Sequence, residues 1–123
     1  MTAAAIAGSS SGTTVVWGVS PDSAGFSYSY DNGVSWTNQS SPLDRATLYG
    51  TPRGTWLASR LAQAGYIYRS TDNGISWGTA FYTALAQPID CITSDGNGNW
   101  CIGYGDGSIK YSGDDGLTWS TAS

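Results

Sequence analysis

The chain has 123 residues, nine Asp, no Glu, no His and a net charge of −4, with only 11% charged side chains, 13% aromatics and 17 Gly. Charge this sparse beside so many aromatics excludes a disordered chain and indicates a turn-rich, all-β domain or string of small repeats. Five cations scattered through an acidic chain, Arg45, Arg53, Arg60, Arg69 and Lys110, exclude the clustered basic surface that binding nucleic acid requires.

Met1-Thr2-Ala3-Ala4-Ala5-Ile6 carries no basic segment and no apolar run long enough for a signal peptide or a membrane span, so neither export by the usual route nor membrane insertion is expected. Period-two patterning then places strands at 3–7, 13–19, 25–29 and 34–38, and again at 46–50, 55–59, 66–70 and 75–79. A third set lies at 89–94, 99–104 and 108–112, with a fourth strand from about Leu117. Asp95-Gly96-Asn97-Gly98 and Gly105-Asp106-Gly107 read as tight turns. Ser20-Pro21-Asp22-Ser23-Ala24 and Arg60-Leu61-Ala62-Gln63-Ala64 read as longer loops between second and third strands, where variation is tolerated.

The three sets end alike. Ser29-Tyr30-Asp31-Asn32-Gly33-Val34-Ser35-Trp36 recurs as Ser70-Thr71-Asp72-Asn73-Gly74-Ile75-Ser76-Trp77 and as Ser112-Gly113-Asp114-Asp115-Gly116-Leu117-Thr118-Trp119, with starts 41 and 42 residues apart. A period near 40 in a β sequence matches one four-stranded propeller blade. In each octapeptide the Asp suits accepting backbone N–H bonds round the turn, and the Gly supplies positive φ. Val34, Ile75 and Leu117 read as the resuming strand, and the Trp as an apolar cover over the hairpin. The repeats divide the chain at roughly 1–42, 43–84 and 85–123.

These octapeptides resemble the Asp-box, or bacterial neuraminidase repeat, Ser-x-Asp-x-Gly-x-Thr/Ser-Trp. The resemblance implies a β-propeller in which Ser29, Asp31, Gly33 and Trp36, with Ser70, Asp72, Gly74 and Trp77 and with Ser112, Asp114, Gly116 and Trp119, are structural residues of the outer hairpin, away from the central mouth. Propellers generally need about four to eight blades, so three four-stranded antiparallel blades require completion, and the expected assembly is a homodimer closing a six-bladed ring. The sialidases that share the repeat use an arginine triad, a Tyr nucleophile assisted by Glu and an acidic general acid. This chain has no Glu, and its four arginines fall between Arg45 and Arg69, so no catalytic residue is assigned and an enzyme is not expected.

The aromatics are expected mainly in the core between blades. Outside the predicted strands, Phe81 and Tyr82 are candidates for stacking on a sugar. Arg45, Arg53 and Arg60 are candidates for a carboxylate or an acidic glycan, against the commoner fate of solvated surface charge. The run from Asp95 to Asn99 with Asp106 superficially resembles a calcium loop, but its sixth position is Trp100 and the hairpin already accounts for it, so no metal or cofactor is assigned. Cys91 and Cys101 flank a hairpin, where one register would oppose them; small core residues is the blander reading. Asn38-Gln39-Ser40 is a glycosylation sequon by letter only.

In style rather than by motif, a small Ser/Thr/Gly-rich Asp-box chain resembles bacteriophage virion components. The expectation is a non-enzymatic virion-surface protein, capsid-decorating or tail-associated, with other virion proteins and host glycans as candidate partners. The alternatives are a free-standing oligomeric propeller lectin and, less favoured, a sialidase-like glycosidase.

Overall fold

The computed structural model describes residues 3–11, 14–21, 26–31, 33–39, 47–60, 63–79, 81–83 and 86–122, with side chains from Ser27 onward other than those of Gln39, Gln63, Phe81 and Tyr82. Twelve strands among these residues form three four-stranded antiparallel sheets. The first holds β1 (Ala3–Ser11), β2 (Thr14–Pro21), β3 (Phe26–Ser29) and β4 (Thr37–Gln39). The second holds β5 (Leu48–Gly50), β6 (Trp56–Arg60), β7 (Gln63–Ser70) and β8 (Phe81–Tyr82). The third holds β9 (Ile89–Ser94), β10 (Trp100–Tyr104), β11 (Ile109–Ser112) and β12 (Ser120–Thr121). Strand order in each sheet follows the chain, so each within-sheet connection is a hairpin. Neighbouring sheets meet along their first strands, β1 beside β5 and β5 beside β9.

Period two decides which faces are buried. In β10, Trp100, Ile102 and Tyr104 are buried while Cys101 and Gly103 are only partly so; in β11, Lys110 and Ser112 are buried while Ile109 and Tyr111 are exposed. β6 breaks the alternation: Trp56, Leu57, Ala58 and Ser59 are all buried, because the second sheet is covered on both faces. Leu57 and Ile67 from its one face join Ile89, Ile92, Trp100, Ile102 and Tyr104 in a single core cluster between the second and third sheets. Burial of such side chains stabilises by about 1.5–3 kcal/mol each before chain entropy is charged against it.

Several expectations are corrected. The fourth strands begin at Thr37, Phe81 and Ser120, after the octapeptide tryptophans rather than at Val34, Ile75 and Leu117. The chain is still turning at those residues: their amides donate to the carbonyls of Asp31, Asp72 and Asp114, three positions back, and their side chains are exposed, Val34 by 85%. Phe81 and Tyr82 therefore form a fourth strand instead of following one. The loop read over Arg60 to Ala64 is shorter than expected, since β6 runs to Arg60 and β7 starts at Gln63, with these two residues paired; Leu61 and Ala62 lie outside the described residues. The longer loop read from Ser20 likewise starts inside β2, which runs to Pro21. Finally, Cys91 pairs with Gly103 and Cys101 with Thr93, so the two cysteines are not opposed; both are free, Cys91 exposed and Cys101 half-buried, not core residues.

Candidate functional site

Each octapeptide folds into the same hydrogen-bonded turn between the third and fourth strands. In the first, the Ser29 hydroxyl accepts from the amides of Asp31 (3.2 Å) and Gly33 (2.8 Å) and donates to Asp31 Oδ1 (2.7 Å). The Asp31 carboxylate in turn accepts from the Ser35 amide (2.8 Å) and the Ser35 hydroxyl. The Trp36 indole N–H donates to the Gly33 carbonyl (3.0 Å), laying the ring across the turn. Ser70, Asp72, Gly74 and Ser76 repeat the pattern, as do Ser112, Asp114, Gly116 and Thr118, with Trp119 donating to Gly116 O at 3.2 Å. Gly33, Gly74 and Gly116 have φ of 84°, 79° and 84°, the left-handed region that favours glycine.

The electrostatics follow from this geometry. Side-chain and backbone hydrogen bonds from Ser35, then the Ser29 hydroxyl, hold the Asp31 pKa at about 2; Thr118 and Ser112 do the same for Asp114. For Asp72, burial pushes the other way, yet the Ser76 and Ser70 bonds still leave its pKa lowered. A general acid at neutral pH needs a raised pKa, and these carboxyls are tuned in the opposite direction.

A second constellation, not anticipated from the sequence, joins the second sheet to the third. Asp115 Oδ2 accepts from Thr55 Oγ1 (2.6 Å) and Arg69 Nη2 (2.9 Å), Oδ1 accepts from Trp100 Nε1 (3.1 Å), and the Asp115 carbonyl accepts from Arg69 Nε (2.8 Å). Burial raises the Asp115 pKa, but the bonds from Thr55, Trp100 and Arg69 outweigh it and the net direction is down. Around this hub Gly116 packs against Leu57, whose Cδ1 would lie 3.1 Å from a Cβ added to the glycine. Tyr49 meets Trp100 edge-on at 5.9 Å, and the Tyr104 hydroxyl lies 2.6 Å from Thr83 Oγ1. Since Thr83 gives its one proton to Gly65 O, Tyr104 is the donor there.

Register shows why these residues recur. Trp17, Trp56 and Trp100 each stand opposite the octapeptide serine of their sheet, Ser29, Ser70 and Ser112. The next residue along pairs with Tyr28, Arg69 and Tyr111 respectively. A signal was present in the sequence: the one arginine at this place coincides with the one octapeptide whose fourth residue is Asp rather than Asn, one repeat later. The left-handed Asn73 (φ 60°) and Asp115 (φ 62°) donate their amides to Gly54 O and Gly98 O, tying each octapeptide turn to the first hairpin of its own sheet.

Among the described candidate ligand residues, Arg53 lies at one end of the second sheet and Arg60 and Tyr82 at the other. Arg53 sits on the β5–β6 turn, at the octapeptide end, and its Nη1 reaches to 3.3 Å from where a Gly98 Cβ would stand, so it bridges to the neighbouring hairpin. Arg60 ends β6 at the opposite end of the sheet and is half-buried, with Tyr82 in β8 paired to Tyr66 nearby. Arg45 lies outside the described residues. Asp95 and Asp106 cap turns at opposite ends of β10, Asp95 accepting from Asn97 and Asn99 and Asp106 from the Ser108 amide, too far apart to share one ion. Among the described residues no group of three His, Cys, Asp or Glu side chains gathers.

Three antiparallel four-stranded sheets arrayed along their first strands define a β-propeller-like fold. Among solved structures, that of YCF48 bound to a D1 peptide is similar, with a TM-score of 0.73 at 18% identity, covering 94% of this chain and 39% of that one. The likeness is one of fold, and this chain spans about two-fifths of that protein's length. No family model matches the sequence, and no curated protein does.

Proposed function

We propose that the chain is a non-enzymatic structural module: three propeller blades locked by Asp-box hairpins, completed to a six-bladed ring by a second copy, and carried on the surface of a bacteriophage virion as a capsid-decorating or tail-associated protein. The observation that carries the non-enzymatic reading is the commitment of the repeated carboxylates. The oxygens of Asp31, Asp72 and Asp114 are engaged within their own turns, and their pKa values are lowered, so they serve folding rather than proton transfer. The virion assignment is supported by the Ser/Thr/Gly-rich composition, and Arg60 and Tyr82, at the end of the second sheet opposite its octapeptide, are the candidate contacts for host glycans.

Two measurements test this. Antibody raised against the chain is expected to decorate intact particles from the source that encodes it; recovery only as a free cell-agglutinating protein would move the assignment to a lectin. Incubation with a fluorogenic sialoside is expected to give no release above buffer, and turnover would overthrow the non-enzymatic reading.

A further inference from the structure

The two ends of the sheet array are complementary. On the third sheet, Cys91, Thr93, Cys101, Gly103, Ile109 and Tyr111 share the face turned away from the core, and Ile109 and Tyr111 are 46% and 51% exposed. By register this face corresponds to the second-sheet face that the third sheet covers: Cys101 stands where Leu57 stands, and Tyr111 where Arg69 stands. At the other end, no described residue of another sheet covers the glycine of the first octapeptide. Gly74 and Gly116 are buried, Gly116 beneath Leu57, whereas Gly33 is only half-buried, and among the described residues a Cβ added to it would meet its own Trp36 ring alone, at 3.5 Å.

From this we infer that the outer face of the third sheet docks head to tail on the first octapeptide turn of a second copy, repeating the Leu57–Gly116 seam with Cys101 over Gly33 and Tyr111 in the place of Arg69. The inference rests on the self-completing assembly proposed above and specifies its contact. A second copy is the occupant because the turn it offers has the same Ser, Asp and Gly, with the same hydrogen bonds, as the turn that already covers the corresponding face one sheet earlier. Such a contact is heterologous: each chain gives one face and receives on another. It closes only if both ends are engaged.

The test uses the full chain. Sedimentation across the micromolar range is combined with iodoacetamide labelling, followed residue by residue at Cys91 and Cys101. A dimer in which both thiols react at least about tenfold slower than in unfolded chain is expected. Tyr111→Asp places a charge in the seam, and Gly33→Asn adds a side chain at a left-handed position, where Asn is among the least strained, that no described residue but Trp36 approaches. Each is expected to weaken the dimer at least about tenfold while circular dichroism keeps the β signal, and mixing the two is expected to recover a heterodimer through the one intact seam. A monomer at every concentration overturns the assembly itself. A dimer with fully reactive thiols, or one indifferent to Gly33→Asn, overturns this seam and leaves assembly by another face standing.

Discussion

The Arg69 guanidinium and the Asp115 carboxylate meet at 2.9 Å across the boundary between the second and third sheets, and the same guanidinium also holds the Asp115 main-chain carbonyl. The pair is fixed by residues on both sides: Thr55 from the second sheet and Trp100 from the third donate to the same carboxylate. Side chains here are 22% and 26% exposed, so solvent screens the pair only in part. The geometry makes Asp115 the point at which an octapeptide turn, a hairpin and a neighbouring sheet are joined.

Removing that carboxylate strands three donors. Asp115→Ala is expected to lower the free energy of unfolding by about 2–4 kcal/mol, since hydrogen bonds to a charged group contribute about 1.5–3 kcal/mol and Ala also resists the left-handed backbone. Asp115→Asn keeps one acceptor and tolerates φ of 62°, and is expected to lose about half as much. Urea titration of the three proteins gives the comparison; equal stability of Asp115→Ala and the parent would mean the hub contributes nothing.

Gly50 stands opposite Trp56 in the β5–β6 pair, and a Cβ added to it would lie 2.2 Å from the indole Cε2. Trp56 is fully buried and has no room to retreat. Gly50→Ala should therefore destabilise by about 1–3 kcal/mol through overpacking. Gly78→Ala is the control, because among the described residues its Cβ would meet only the Arg69 carbonyl at 3.5 Å, and a shift within about 0.5 kcal/mol is expected. Thermal melts of both variants should separate clearly.

The octapeptide serine, buried beneath the turn, should matter more than the exposed hydroxyl four residues after the octapeptide Asp. Ser70→Ala leaves the amides of Asp72 and Gly74 without their acceptor and is expected to lower stability by about 1–3 kcal/mol. Ser76→Ala removes only an exposed hydroxyl donor, and should lower it by less than about 1 kcal/mol. Reversal of that order in denaturant titrations would contradict the assigned roles.

Acid should unlock the turns. Asp31 and Asp114 titrate at about 2 in the folded chain, held down first by the hydroxyls of Ser35 and Thr118, against about 3.9 for an unfolded Asp. A depressed folded pKa gives stability that is complete above the unfolded value and disappears as pH falls through the folded one. The melting temperature is therefore expected to fall between about pH 4 and pH 2, and the double variant Asp31→Asn, Asp114→Asn to show a shallower fall. An unchanged slope in the variant would show that other carboxyls carry the acid sensitivity.

Much of the fold was legible because its signals are local. The glycine at positive φ, the Asp accepting round the turn and the Trp lying across it were each readable from one octapeptide, and the 41- and 42-residue spacing made three of them a repeat. The fourth strands were misplaced for a physical reason that is equally local: Val34, Ile75 and Leu117 are apolar and alternate with Ser or Thr, yet the i to i+3 bonds and the Asp cap keep the chain curled until the Trp has passed. Apolar alternation reports burial, and here it sits on exposed turn residues.

The octapeptides, their hairpins and the all-β repeat were thus determined by the sequence alone, since short-range hydrogen bonding needs no distant partner. Which residues join one repeat to the next was decided only by tertiary structure. Thr55 and Asp115 are 60 residues apart and Arg69 and Asp115 are 46 apart, so nothing within one repeat predicts that they meet. Sheet pairing sets their register, and packing of one sheet on the next brings them within bonding distance. The same packing buries Leu57 and leaves its counterpart Cys101 half-open, because among the described residues one has a further sheet laid over it and the other does not.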